Sequence, residues 1–129
     1  VIADCTMDYE SLASAGSALG TGAVVVIAEG TCMVELLKRS SRFYYVENCG
    51  QCTPCREGTG WLYRLLQKIT QGKGQESDLT LLVDVANRIE GNTICAFGDA
   101  AAWPVQSFIE HYYSEFAYMI KNHGKSIAA

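Results

Sequence analysis

Three cysteines at a three-residue step, Cys49-Gly-Gln-Cys52-Thr-Pro-Cys55, constrain this chain more than any other feature. A Cys-x2-Cys step turns the backbone tightly enough for both sulfurs to enter one small volume. Repeating it presents three thiolates to one object. A fourth sulfur is available at Cys95, in the glycine-flanked stretch Gly91-Asn-Thr-Ile-Cys95-Ala-Phe-Gly98, which reads as a loop between helices. The resulting C-x2-C-x2-C-x39-C spacing is that expected of a cubane [4Fe–4S] cluster, with three corners reached from one loop and the fourth from elsewhere. Zinc is the rival, although its usual arrangement is two separated CxxC pairs. Cys5 and Cys32 lack such company and read as small thiols outside any site.

Six cysteines is an even number, so a three-disulfide secreted domain is a third reading. Composition opposes it. Residues AVILMFWYC make up 49% of the 129, enough for an ordinary core without staples, and three clustered cysteines leave an odd thiol. Ten Lys and Arg against fourteen Asp and Glu give a net charge of −4. That balance argues against nucleic acid and against an anionic membrane surface as partners. The longest apolar run, Ala23–Ala28, falls far short of the ~20 residues of a membrane span, so no direct membrane contact is expected.

The chain opens Val-Ile-Ala-Asp-Cys, without an initiator Met or a signal peptide. Helix-like spacing over Asp8–Ala18 ends at Leu19-Gly-Thr-Gly22, and Ala23–Ala28 is β-branched and reads as a buried strand. A lone strand makes no sheet, so residues 1–30 read as the tail of a mixed domain whose other strands lie upstream, in a longer protein.

Residues 31–129 read as helical. Thr31 caps a helix running to about Asn48, with Met33, Leu36, Leu37 and Tyr44 on one face. Thr53-Pro54 opens a second, with Trp61, Leu62, Leu65, Leu66 and Ile69 as its apolar stripe. Ser77 or Asp78 caps a third, with Leu79, Leu82, Val83, Ala86 and Ile89 inward, ended by Gly91. Pro104 begins the last, carrying Val105, Phe108, Ile109, Tyr112, Phe116 and Ile120. The fold class is therefore mainly α: a four-helix bundle with the cysteine loops at one end.

The neighbours of the cysteines suit an anionic cluster. N–H groups around Gly50, Gln51 and Thr53, and the helix beginning at Pro54, are placed to donate to sulfur. Arg56 either raises the potential or is an ordinary first-turn charge, and Glu57 reads as a first-turn carboxylate. Trp103 lies near enough in sequence to Cys95 to shield the site from water. His111 and His123 read as surface or packing residues. No GxGxxG, Walker or nucleophile-elbow pattern occurs, and no catalytic residue is assigned.

Glu47-Asn-Cys-Gly-Gln-Cys-Thr-Pro-Cys-Arg-Glu-Gly58, Ile89-Glu-Gly-Asn-Thr-Ile-Cys-Ala-Phe-Gly-Asp99 and Ala102-Trp-Pro-Val-Gln106 closely resemble the NADH-binding flavoprotein subunit of respiratory complex I. Asp8-Tyr-Glu-Ser-Leu and Gly16-Ser-Ala-Leu-Gly-Thr-Gly22 extend the likeness, which covers roughly Asp8 to Tyr112. Diaphorase subunits of NAD-linked hydrogenases and formate dehydrogenases share these motifs. The resemblance implies a carboxy-terminal bundle following the end of a ubiquitin-like β-grasp domain. On the matching positions Cys49, Cys52, Cys55 and Cys95 are the ligands of one [4Fe–4S] cluster. In that family hydride passes from NADH to FMN, single electrons reach this cluster, and a neighbouring iron–sulfur subunit receives them. The FMN and NADH region lies upstream, so this chain by itself is expected to be inactive. The setting implied is a peripheral arm on the matrix side of the mitochondrial inner membrane or on the cytoplasmic side of the bacterial one. A structural zinc module for partner binding is the alternative function.

Overall fold

The computed structural model describes residues 4–127; residues 1–3 and 128–129, the outer ends of the two segments expected from sequence, lie outside it. Five helices form among the described residues: α1 (Tyr9–Ser14), α2 (Met33–Glu47), α3 (Thr53–Thr70), α4 (Glu76–Ile89) and α5 (Phe97–Lys121). Short connections make chain neighbours antiparallel. α2 packs on α3, α3 on α4 and α4 on α5, and α5 closes back on α2. The core is one apolar cluster, with Leu37 from α2, Leu62 and Leu66 from α3, Leu82 and Ile89 from α4, and Val105 and Phe116 from α5. This is the four-helix bundle that the periodicity predicts.

The helix starts differ from expectation by a residue or more. Cys32 rather than Thr31 is the N-cap of α2, and Glu115 on α5 accepts the Met33 N–H at 3.2 Å, doing from another helix what a capping side chain would do. Cys52 precedes α3, so Thr53 is already helical and Pro54 sits one position further in. α4 begins at Glu76 through a capping box between Gln75 and Asp78, where the Gln75 N–H donates to Asp78 at 2.7 Å.

α5 is the larger correction. It begins at Phe97, not at Pro104, which lies inside it. A mid-helix proline costs about 3 kcal/mol, but Gly98, Ala101 and Ala102 are buried on the near side of it. Packing of that small-residue face carries the helix through. The helix instead departs from regularity at Tyr112 (φ −122°, ψ 23°). Trp61, expected in the core, is 53% exposed, because the buried face of α3 passes through Gly58, Thr59 and Leu62.

The expected strand is not formed. Ala23–Ala28 joins no ladder, and Val24, Val25 and Val26 are 74%, 74% and 92% exposed. β-branched residues favour the pleat, but a strand exists only against a partner, and none is present among the described residues. The helix expected over Asp8–Ala18 shortens to α1, which Asp8 caps by accepting the Ser11 N–H at 2.7 Å and which buries no residue.

Candidate metal centre

In an up-down bundle the α2–α3 and α4–α5 connections fall at the same end. The first carries Cys49 and Cys52, with Cys55 in the opening turn of α3; the second carries Cys95. All four cysteines line one cavity of about 140 Å³. That is several times the ~30 Å³ share of one water molecule. Glu47 and Phe97 complete its wall, with Thr93 and Gly98.

Local chemistry sets each loop. Asn48 ends α2 in an extended conformation, and its Oδ1 accepts the N–H of Gly50 at 3.0 Å. Gly50 sits at φ +78°, where a Cβ would be strained, so the chain can reverse between Cys49 and Cys52. Arg56 Nη1 donates to the Gly50 carbonyl at 2.9 Å, while its Nε donates to Glu57 Oε1 at 3.0 Å. The cation thus braces the cysteine loop, and Glu57 is its partner. Thr59, fully buried, donates to the Cys55 carbonyl at 2.8 Å.

The Cys95 loop is strapped to α5. Gly91 (φ +70°) donates its N–H to Asp99 at 2.8 Å, and Thr93 donates to the Cys95 carbonyl at 2.9 Å. Glu90 accepts from Trp103 Nε1 and from Gln106 Nε2, each at 2.7 Å. Trp103, expected to shield the site, is occupied there, does not line the cavity and is 47% exposed. Phe97 stands on the cavity wall in its stead, its ring edge-on to Tyr44 at 5.3 Å. An aromatic two residues beyond Cys95 is the sequence signal for that role; Glu47 carries none.

The two loops meet directly. Ile94 donates its backbone N–H to Cys52 Sγ at 3.3 Å. The N–H expected from Gly50 is instead committed to Asn48. Cys55 is buried, and its thiol is pushed above the ordinary value, first by burial and then by the charges of Cys49, Cys52 and Cys95. Four sulfurs therefore share one electrostatic environment. Cys49 and Cys95 are exposed at the rim and Cys52 is half-buried. Neither Cys5 nor Cys32 lines the cavity, nor does His111 or His123.

Soft thiol donors without imidazole suit iron–sulfur chemistry or zinc. A single zinc draws its sulfurs to ~2.3 Å from one point. Four thiols lining one cavity are a donor set that fits an iron–sulfur cluster.

Residues 35–119 match the family described as the NADH-ubiquinone oxidoreductase-F iron-sulfur binding region. The F subunit of the NADH-quinone oxidoreductase of Rickettsia felis is 47% identical over 126 residues, covering 98% of this chain and 30% of that protein. Its counterpart in Rhizobium meliloti is 50% identical over 112 residues, covering 87% of this chain and 26% of that protein. Among solved structures, an NAD+-reducing [NiFe]-hydrogenase in the H2-reduced state superposes with a TM-score of 0.67 at 30% identity, covering 72% of this chain and 16% of that one. The chain spans less than a third of the length of these curated relatives. With four cysteines around one cavity and the match running from α2 into α5, the chain belongs to the NADH-ubiquinone oxidoreductase-F iron–sulfur binding family, whose cofactor is a [4Fe–4S] cluster.

Proposed function

We propose that Cys49, Cys52, Cys55 and Cys95 each supply one thiolate to a single [4Fe–4S] cluster, and that the chain is an electron-transfer module of an NADH dehydrogenase. The observation carrying this reading is that four cysteines, from two loops and the first turn of α3, line one cavity. When bound, the cluster supplies one-electron redox chemistry. The chain's own residues do the rest. The Ile94 amide stabilises negative charge on Cys52. The N-terminus of α3 turns its positive end toward the cysteine loop. Phe97, its ring held edge-on by Tyr44 behind it, keeps one wall of the cavity apolar. On this reading the reaction with NADH belongs to the flavin-bearing part of the subunit.

On this reading residues 31–129 form the cluster domain, and residues 1–30 are the end of a β-grasp-like domain in which Ala23–Ala28 pairs with upstream strands. The exposure of Val24–Val26 supports that assignment. The partners are the FMN- and NADH-binding part of the same subunit and a neighbouring iron–sulfur subunit. No helix among the described residues is long and apolar enough to cross a membrane, which accords with a peripheral arm on the matrix or cytoplasmic face. The hydrogenase likeness favours a second setting, the diaphorase subunit of an NAD-linked hydrogenase or formate dehydrogenase.

Anaerobic purification of the full chain, followed by iron, sulfide and zinc analysis, tests the assignment. About four irons and four sulfides per chain are expected, with a reduced-state EPR signal that Cys95→Ala abolishes or converts to a three-iron form. Colourless protein with one zinc and no labile sulfide would overturn it. An unaltered signal in Cys95→Ala would remove Cys95 from the ligand set.

A further inference from the structure

We propose that Asn48 is a positioning residue for the cluster: resting on the four-cysteine reading above, its side chain presets the turn that carries Cys49, independently of its role in ending α2.

Asn48 faces two ways. Toward the helix, Nδ2 donates to the carbonyl of Tyr45 at 2.6 Å, at the end of α2, and lies 3.4 Å from that of Tyr44, which already accepts the Asn48 backbone N–H at 3.2 Å. Toward the site, Oδ1 accepts from Gly50 at 3.0 Å, an Asx-type closure spanning Cys49. Gly50 needs this closure. At φ +78° it has no side chain to hold it, and a glycine in a short loop samples many other conformations. Arg56 grips the Gly50 carbonyl from the opposite side, so the peptide groups on both sides of Gly50 are fixed. The same Nδ2 lies 3.4 Å from Thr59 Oγ1, whose hydroxyl donates to the Cys55 carbonyl. One side chain therefore connects the start of the ligand loop to its last cysteine.

The two faces of the amide can be separated. Asn48→Asp keeps the acceptor for Gly50 and loses both donations to α2. Asn48→Ala loses everything. A residue that only caps the helix predicts equal damage from the two variants; a positioning residue predicts that Asp rescues the site.

The experiment uses the full chain carrying each variant, reconstituted anaerobically with iron and sulfide. Three quantities are read: melting of the metal-free chain, half-life of the visible chromophore in excess chelator, and shape of the reduced EPR spectrum. Melting should fall in both variants. Chromophore half-life should shorten at least about fivefold in Asn48→Ala, as expected for loss of one loop-closing hydrogen bond, with an altered EPR line shape. Asn48→Asp should stay within about twofold of the parent and keep its line shape. If chromophore loss follows melting equally in both, Asn48 is a helix cap and the proposal falls. If the parent chain takes up no iron and sulfide, the four-cysteine assignment fails instead.

Discussion

The backbone N–H of Ile94 donates to Sγ of Cys52 at 3.3 Å, across 42 residues of sequence. The loop that brings the remote cysteine thus also brings a donor to a sulfur of the triplet. An N–H aimed at a thiolate stabilises the more negative, reduced state of a cluster and so raises its potential. Ile94→Pro removes that donor, whereas Ile94→Ala keeps it. Only the part of the bond that strengthens on reduction moves the potential, so a bond of about 0.5–1.5 kcal/mol sets an upper bound of about 20–60 mV on the fall for one electron. The bond is exposed, which favours the lower half of that range. An EPR-monitored redox titration reads the difference, and equal potentials for the two variants would remove the role.

Gly98 is required by contact rather than by backbone angle. A Cβ there would lie 2.4 Å from Oγ1 and 2.5 Å from Cγ2 of Thr93. Gly98→Ala should cost about 1–3 kcal/mol through overpacking, although alanine is otherwise the better helix former. Because Thr93→Gly by itself loses the hydroxyl bond to Cys95, the check is a double-mutant cycle: Gly98→Ala should cost less in the Thr93→Gly background than in the parent. Urea unfolding measures both, and an equal cost in the two backgrounds would place the strain elsewhere.

Much of this end of the molecule is legible in the residues themselves. The step between Cys49, Cys52 and Cys55 and the stripes of α3 and α4 are local patterns, and the structure keeps them except at Trp61, which faces outward. What is not legible depends on partners distant in sequence. Glu115 supplies the cap of α2 from another helix, so the better capping side chain, Thr31, is not needed. α5 runs through Pro104 with Gly98, Ala101 and Ala102 buried before it, Gly98 against Thr93 and Ala102 in the core, which no local rule anticipates. Trp103 is close to Cys95 in sequence, but Glu90 holds its indole on the outer side. Ala23–Ala28 has a strand's composition without the neighbour that makes a strand.

Acid should loosen the Cys95 loop at a defined place. Hydrogen bonds from Gln106, and then from Trp103, hold the Glu90 carboxyl below its usual range. A folded value below the unfolded one gives stability that is present above the ordinary glutamate range and lost as pH falls through the lowered value. Trp103 emission, recorded in a Trp61→Phe background, should therefore shift below the ordinary glutamate range. Glu90→Gln should show no such step. A midpoint at or above the ordinary value would contradict the hydrogen-bonded carboxylate.

The opposite end of the bundle should be energetically separate from the site. Asp78, 5% exposed, accepts the Gln75 N–H at 2.7 Å and Lys68 Nζ at 2.8 Å. Asp78→Ala should cost about 1–2 kcal/mol, mostly from the lost cap, since the lysine is partly solvated and its pairing contributes little. Chemical denaturation measures the cost. The EPR spectrum should be unchanged, because Asp78 borders the α3–α4 connection, away from the cysteines.

The uncovered Val24–Val26 run makes solubility, more than folding, the quantity that governs this chain when it is by itself. Its bundle closes its own core, but from Ser11 to Ala28 no Asp, Glu, Lys or Arg interrupts the sequence. Three consecutive valines with no ladder partner are a template on which a second chain can zip. Loss of soluble protein should then rise with concentration while the helices stay intact. Covering these valines would therefore protect the chain against self-association as well as against exposure of apolar surface.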